Sequence, residues 1–267
     1  MKRWLELIRP LNCLMAAAAA WLGYSLGTGA PSINLTVALL GSAAFLVCAG
    51  GQAINDYYDR ETDAIRKKKK PIPSGKVKVR VAFAYAISLS SVGVIVAAHA
   101  SIEAGAFALA FAILLFAYSA LMRKAKWLGN WVVALSTGAV IAFGAIPTGN
   151  YGLALPLAAA AILANAGREM AKDLEDQRSD RGFKTTLPMI IGEVKTKYAA
   201  IACNAGAAAI AVAPALCGPV SMQLLTAAGV AALAFASAKL YSNYPASRKA
   251  SKAAMVLVML AYAATLF

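Results

Sequence analysis

Residues 34–54 read NLTVALLGSAAFLVCAGGQAI, an uncharged run that ends two residues before Asp56. As a helix rising about 1.5 Å per residue, this run can cross a hydrocarbon core of about 30 Å. Similar runs recur at roughly 11–29, 80–99, 103–122, 128–147, 152–170, 196–216, 220–240 and 251–267. The chain is 60% apolar and only 14% charged, whereas about a quarter of a soluble domain is charged. The sequence therefore predicts an all-α, polytopic membrane protein: nine transmembrane helices in one domain, residues 1–267.

The basic residues predict how these helices are oriented. All 26 Lys and Arg residues fall in the N-terminal segment or at the connections after spans two, four, six and eight. The connections after spans one, three, five and seven contain none. By the positive-inside rule, the N-terminus is cytoplasmic and the C-terminus lies outside. The net charge of +14 is thus explained by membrane topology rather than by nucleic-acid binding.

Two acidic stretches with the same D-x-x-D-x-x-x-D spacing follow spans two and six, on the predicted cytoplasmic side. They contain Asp56, Asp59 and Asp63, and Asp173, Asp176 and Asp180. At about 100° per residue, each trio lies on one face of a helix, whereas Glu61 and Glu175 point away. Like charges at this spacing repel, so a cation must offset them. Carboxylate oxygens suit Mg²⁺, which binds through one or two carboxylates together with substrate phosphates.

The two stretches also predict an internal duplication. They lie 117 residues apart, each after the second span of a four-span block. This periodicity favours a 4 + 4 + 1 arrangement of helices. Two opposed carboxylate faces would then hold a diphosphate between bridging metal ions.

Basic and polar residues near the acids are candidates for substrate binding. They are Asn12, Asn55, Lys70, Tyr118, Arg123, Lys124, Arg168 and Lys172. Lys70 precedes a rigid Pro-Ile-Pro-Ser-Gly turn, whereas the lysines before it are typical of anchors for anionic lipid headgroups. Tyr118 also suits the membrane interface, and Asn12 suits a hydrogen bond between helices.

The motif from Asn55 to Asp63, the second motif from Asp173 and the nine predicted spans together resemble the UbiA superfamily of intramembrane prenyltransferases. Further stretches resemble the archaeal digeranylgeranylglyceryl phosphate synthases within it. These are Arg9–Cys13, Ala49–Asp59, Pro71–Gly75 and Arg168–Asp176. Two positions depart from that pattern: Lys70 replaces an arginine, and Arg123-Lys124 replaces Lys-Arg.

The resemblance implies a reaction. Geranylgeranyl would pass from geranylgeranyl diphosphate to the sn-2 hydroxyl of geranylgeranylglyceryl phosphate, releasing diphosphate. It implies Mg²⁺ on both aspartate trios, a catalytic role for Asp56, Asp59, Asp173 and Asp176, and help from Lys70, Arg123 and Lys124. The implied active site lies at the cytoplasmic face of the cell membrane, and neither nucleic acid nor a protein partner is implied.

Two alternatives remain open at this point. The acceptor could be an aromatic quinone precursor instead of a glyceryl phosphate. A secondary transporter also places acids within a helical bundle, but near the bilayer midplane, whereas these acids lie at the ends of spans.

Overall fold

The chain is helical over nearly all of the residues that the computed structural model describes, which are 2–65, 69–121 and 125–267. The helices are α1 (Lys2–Ile8), α2 (Pro10–Thr28), α3 (Leu35–Ile65), α4 (Val79–Ala100), α5 (Ile102–Leu121), α6 (Lys126–Ala145), α7 (Ala154–Asp180), α8 (Leu187–Ile191), α9 (Glu193–Ala215), α10 (Val220–Lys239) and α11 (Tyr244–Ala263). Single 3₁₀ turns follow α6 at Ile146–Thr148 and α11 at Ala264–Leu266. The all-α prediction is confirmed for this part of the chain.

Seven helical segments of the described chain are long and apolar enough to cross a membrane. They are Leu35–Ile65, Val79–Ala100, Ile102–Leu121, Lys126–Thr148, Glu193–Ala215, Val220–Lys239 and Tyr244–Leu266. Helices α2 and α7, which the sequence predicts as two further spans, are not among them. The second half of α7 mixes acids and bases from Arg168 to Asp180, and α2 begins with Pro10 and Asn12. The polytopic prediction is thus supported, and the count of nine spans stays a prediction.

The two helices that carry the acidic motifs extend well beyond the predicted spans. Helix α3 continues past residue 54 to Ile65, and α7 continues past residue 170 to Asp180. Five of the six motif aspartates in these extensions are buried, and the sixth, Asp176, is half-buried. Basic side chains meet these aspartates, and an opposite charge offsets the repulsion that would otherwise unwind an acidic helix end.

Two short helices were not predicted from the sequence. Arg9 has a φ of 50°, in the left-handed region, and separates α1 from α2. Gly192, with a φ of 86°, separates α8 from α9 in the same way. Neither break changes the local hydropathy, so the pattern of apolar runs does not predict these two helices.

The described chain divides into two compact units, each containing one acidic motif. The first unit comprises residues 1–24, 32–123 and 143–149. In it, α3 packs against α4 and α5. A Cβ atom at Gly50 would lie 2.8 Å from the carbonyl oxygen of Ala86, so glycine permits the close approach of α3 and α4.

The second unit comprises residues 25–31, 124–142 and 150–267. Here α7 packs against α9 and α11, and α10 packs against α11. A Cβ atom at Gly138 would collide with the carbonyl oxygen of Ala158, which fixes the approach of α6 to α7. In each unit, the helix with the acidic motif is packed on several sides, and this packing holds its carboxylates in place.

Candidate active site

The first aspartate cluster consists of Asp56, Asp59 and Asp63 at the end of α3. All three are buried, with exposed fractions of 2%, 9% and 2%. Glu61 lies on the opposite side, its side chain 62% exposed. Helical periodicity therefore predicts the orientation of this motif correctly: the acids at the D-x-x-D-x-x-x-D positions turn inward and the intervening glutamate turns out.

Lys70 joins the two ends of this first cluster. Its Nζ lies 2.8 Å from Asp56 Oδ1 and 2.6 Å from Asp63 Oδ2. Burial lowers the pKa of Lys70, but the neighbouring Asp56 and Asp63 carboxylates outweigh burial, and the pKa is raised overall. Lys70 therefore remains an ammonium ion at neutral pH and offsets the charge of two buried carboxylates.

The segment after Lys70 holds this lysine at the helix end. Ser74 N donates to the carbonyl of Lys70 at 3.1 Å, and Val77 N donates to that of Pro71 at 3.2 Å. Gly75 closes the turn with a φ of 72°, a conformation in which glycine is unstrained. The rigid turn predicted after Lys70 is thus present, and it fixes the origin of the lysine side chain.

Arg9 reaches the same cluster from the break between α1 and α2. Its Nη2 lies 2.8 Å from Asp56 Oδ1, so Asp56 accepts from both Arg9 and Lys70. A non-glycine residue in the left-handed region costs on the order of 1 kcal/mol, which the surrounding structure must offset. The backbone of Arg9 is held on both sides, donating to the carbonyl of Leu5 and accepting from Asn12 N.

The second aspartate cluster consists of Asp173, Asp176 and Asp180 in α7. Asp173 and Asp180 are fully buried, whereas Asp176 is half-buried. Lys126, the first residue of α6, contacts all three. Its Nζ lies 3.1 Å from Asp173 Oδ1, 3.2 Å from Asp176 Oδ2 and 2.8 Å from Asp180 Oδ2. Glu175 points away and pairs with Arg248 at 2.6 Å.

The chain between α7 and α8 supports the second cluster from the side. Leu187 N donates to Asp173 Oδ2 at 3.3 Å. An isolated parallel bridge pairs Ala125 with Thr185, and Trp127 N donates to the Thr185 carbonyl at 3.4 Å. These backbone contacts hold the start of α6, and therefore Lys126, beside the aspartates of α7.

One turn before the second cluster, a buried glutamate organises two of the predicted substrate-binding residues. Glu169 is 3% exposed and accepts from Arg168 Nη1 at 2.7 Å and from Lys172 Nζ at 3.1 Å. Arg168 also donates to Asn165 Oδ1 at 3.3 Å, and Asn165 donates to Thr137 Oγ1 at 2.9 Å. Arg168 and Lys172 are therefore held at fixed positions on α7.

The other predicted substrate-binding residues are more scattered. Asn55 is half-buried directly before Asp56, Tyr118 is half-buried near the end of α5, and Asn12 is exposed in the first turn of α2. Arg123 and Lys124 lie outside the described residues. Of the eight candidates, the structure brings Lys70 onto the aspartates of the first cluster and places Arg168 and Lys172 around Glu169.

The family model described as the UbiA prenyltransferase family matches residues 14–261. The chain belongs to this family. Among its UbiA relatives, the digeranylgeranylglyceryl phosphate synthase of Methanopyrus kandleri is 36% identical, and the alignment covers 100% of both chains. The synthase of the same name from Thermococcus kodakarensis is 33% identical over 74% of this chain and 72% of its own.

Solved structures match over the whole length as well. A structure of a digeranylgeranylglyceryl phosphate synthase is 30% identical, with a TM-score of 0.84 over 99% of this chain and 98% of its own. A UbiA homolog from Archaeoglobus fulgidus, bound to GPP and Mg²⁺, has a TM-score of 0.76 at 18% identity over 99% of each chain. The fold of this chain is therefore the UbiA fold, and the chain is a multi-pass membrane prenyltransferase.

The aspartate clusters fit the divalent cation that the UbiA fold implies. Among the described residues, no group of three or more His, Cys, Asp or Glu side chains is drawn together closely enough to ligate a metal ion directly. Instead, the ammonium groups of Lys70 and Lys126 lie 2.6–3.2 Å from the aspartate oxygens, where they stand in for a hard cation. Buried carboxylates are the donor set that Mg²⁺ prefers, and here they already bind positive charge.

Lys126 is the site residue that the sequence analysis missed. It is one of many cations on the predicted cytoplasmic side, and the candidates named in the same connection were Arg123 and Lys124. Its separation from Asp176 by 50 residues means that only the packing of α6 on α7 reveals the contact. Arg9 was noted as part of the family-like stretch at the start of span one, but its contact with Asp56 was also not predicted.

Proposed function

We propose that this UbiA enzyme transfers geranylgeranyl from geranylgeranyl diphosphate to the sn-2 hydroxyl of geranylgeranylglyceryl phosphate. The product is a second ether bond, and diphosphate is released. One observation carries the proposal: two largely buried aspartate clusters of identical spacing occur in a chain that aligns from end to end with a digeranylgeranylglyceryl phosphate synthase. That alignment supports the glyceryl phosphate over the aromatic acceptor.

In this proposal, Asp56, Asp59 and Asp63 would hold one Mg²⁺, and Asp173, Asp176 and Asp180 would hold another. Bound Mg²⁺ would neutralise the charge that develops on the departing diphosphate. Lys70 lies within ion-pairing distance of its aspartates and would add a positive charge beside that anion, as would Arg123 and Lys124. Fixed cations in a water-poor site stabilise a leaving anion more strongly than they would in water.

The chemical step breaks the allylic C–O bond, and its electron pair stays on the diphosphate oxygen. The sn-2 hydroxyl oxygen then forms the new bond to the same allylic carbon, and the hydroxyl proton passes to the released diphosphate. Apolar helices would exclude water, which would otherwise capture the allylic cation and give the free alcohol. The catalytic role of Asp56, Asp59, Asp173 and Asp176 would be to hold the cations that neutralise the departing diphosphate.

The acceptor phosphate requires positive charge of its own, and Arg168 and Lys172 would supply it. Glu169 fixes both side chains on α7, at 2.7 and 3.1 Å. Preorganised donors bind an anion at a lower entropic cost than mobile ones. We therefore propose that this pair binds the acceptor phosphate.

We further propose that α2 and α7 also cross the membrane, giving nine spans with a cytoplasmic N-terminus and cytoplasmic aspartate clusters. The one-sided distribution of Lys and Arg supports this orientation. Single cysteines at Ser74 and Asn150, both exposed, test it in a background without the four native cysteines. A membrane-impermeant maleimide should label Asn150→Cys from outside and Ser74→Cys only after permeabilisation. The reverse pattern would contradict the orientation.

The function is tested with purified protein, labelled geranylgeranyl diphosphate and Mg²⁺. Three acceptors are compared: the glyceryl ether phosphate, its dephosphorylated alcohol, and an aromatic quinone precursor. We expect transfer to the phosphate and much poorer transfer to the alcohol. If the alcohol reacts equally well, or only the aromatic compound reacts, the proposed acceptor is wrong. Asp56→Ala serves as the inactive control.

A further inference from the structure

Lys126 lies outside both aspartate motifs in the sequence, yet it contacts the second aspartate cluster. Lys126 Nζ lies 2.8 to 3.2 Å from one oxygen of each aspartate, and the lysine side chain is only 13% exposed. Asp173 and Asp180 are fully buried. The ammonium group therefore occupies the position from which a cation contacts all three carboxylates.

We propose that Lys126 is an internal counter-ion of the second cluster, which competes with a divalent metal ion for Asp173, Asp176 and Asp180. The inference rests on the proposed metal binding at this cluster and adds to it the residue that sets how tightly the metal binds.

The competition follows from geometry. Mg²⁺ binds carboxylate oxygens at about 2.0–2.1 Å, so the ion must lie among the oxygens that Lys126 Nζ now approaches. Two cations cannot share that point, because at such a separation their repulsion in a buried site is strong. The ammonium group must move away when the metal enters. Lysine is suited to this exchange since its charge is a compact point on a flexible four-carbon stem.

The same contact explains how the protein tolerates three neighbouring carboxylates in α7 when no metal is bound. Three carboxylates at i, i+3 and i+7 repel one another, and a buried charge without a partner is costly. Lys126 supplies the partner in the metal-free protein. Metal can bind only those molecules in which the lysine has left the cluster. The apparent affinity for metal is therefore the intrinsic affinity multiplied by the fraction of such molecules.

The first cluster has a similar contact between a lysine and its aspartates, so the contact is not peculiar to one helix end. Lys70 also contacts the first and last aspartates of its motif, Asp56 and Asp63. The two lysines reach their clusters by unrelated routes. Lys70 comes from the turn after the motif helix, whereas Lys126 comes from the start of another helix.

The test measures Mn²⁺ binding to full-length protein in detergent, with free Mn²⁺ quantified by electron paramagnetic resonance. Removing the competing charge in Lys126→Gln should tighten one Mn²⁺ site by about tenfold or more. Lys126→Arg retains a cation and should bind no tighter than the unaltered protein. Lys252→Gln, the same change at an exposed lysine of α11, is the matched control and should leave affinity unchanged. Adding Asp180→Asn to Lys126→Gln should abolish the gain, which assigns it to the second cluster.

Thermal unfolding tests the second consequence of the proposal: the substitution that tightens Mn²⁺ binding should lower the melting temperature of the metal-free protein. In EDTA, Lys126→Gln should melt below the unaltered protein, and saturating Mn²⁺ should close the gap. A lysine with a purely structural role would lower the melting temperature without tightening Mn²⁺ binding, and that result would overturn the inference.

A second measurement uses the unaltered protein, in case Lys126→Gln does not fold. Mass spectrometry after brief acetylation should show that Mn²⁺ increases the modification of Lys126 and leaves that of Lys252 unchanged. Unchanged reactivity of Lys126 at saturating Mn²⁺ would also overturn the inference.

If the protein binds no Mn²⁺ and transfers geranylgeranyl in EDTA, the proposed metal-dependent function itself fails. If metal binds and supports transfer but Lys126→Gln changes nothing, only the role of Lys126 fails.

Discussion

The two aspartate clusters have the same spacing but obtain their positive charge differently. In the first, Lys70 lies seven residues after Asp63, in the turn that leaves α3, and contacts both ends of the motif. In the second, Lys126 lies 50 residues from Asp176 in sequence and belongs to another helix. The middle aspartate is buried in the first cluster and half-buried in the second. The first cluster thus meets a local lysine as well as the distant Arg9, whereas the second meets a distant lysine, and neither distant contact is visible in the sequence.

Removing divalent cations should have the largest effect, because it acts on both clusters at once. We expect EDTA to lower the rate of geranylgeranyl transfer by at least about 10³-fold, since several kcal/mol of charge stabilisation would be lost. The rate is measured with labelled geranylgeranyl diphosphate, and added Mg²⁺ should restore it. Full activity in EDTA would mean that the lysines, rather than a metal, serve both clusters.

Single aspartate substitutions compare the clusters directly. Asp56→Ala and Asp59→Ala in the first cluster, and Asp173→Ala and Asp176→Ala in the second, should each lower kcat by at least about 10²-fold. Steady-state kinetics at saturating substrates measures this loss. If Asp176→Ala is mild while Asp59→Ala is severe, the greater exposure of Asp176 marks a real functional difference between the clusters.

The residues around Glu169 should produce a smaller, substrate-specific effect. Arg168→Ala or Lys172→Ala should raise KM for the glyceryl phosphate by about tenfold and leave KM for geranylgeranyl diphosphate nearly unchanged. This pattern is the signature of a lost contact made equally in the ground and transition states.

Arg9→Ala is the informative control for that prediction, because Arg9 contacts Asp56 instead of Glu169. Its effect should fall mainly on kcat. An equal rise in both KM values for Arg168→Ala would assign Arg168 to the diphosphate instead.

The smallest effects are expected at the two glutamates that point away from the aspartates. Glu61→Ala and Glu175→Ala should change kcat by no more than about twofold, because neither carboxylate faces a cluster. The half-exposed Glu175–Arg248 pair should contribute less than about 1 kcal/mol to stability. Activity assays and thermal melts measure both effects. If Glu61 proved as sensitive as Asp59, the helical-face argument would be wrong.

Local chemistry explains which parts of the site were predictable from the sequence. Helical periodicity separates Asp56, Asp59 and Asp63 from Glu61 without any tertiary information, and the structure shows the same separation. Lys70 was predictable because it is close in sequence and its position is fixed by a proline-rich turn. The left-handed break at Arg9 was not predictable, since arginine carries no preference for that conformation.

By itself, the sequence determined the helical class, the membrane character and the identity of the acids, because hydropathy and helical period are local properties. Tertiary structure alone decided that Lys126 meets the second aspartate cluster and that Arg9 meets Asp56. It also decided that Glu169 lies buried between Arg168 and Lys172. The physical reason is that the attraction between opposite charges depends on their distance in space and not on their separation along the chain. A buried carboxylate requires a cation within a few ångströms, but any helix that packs nearby can supply it, whatever its distance along the chain.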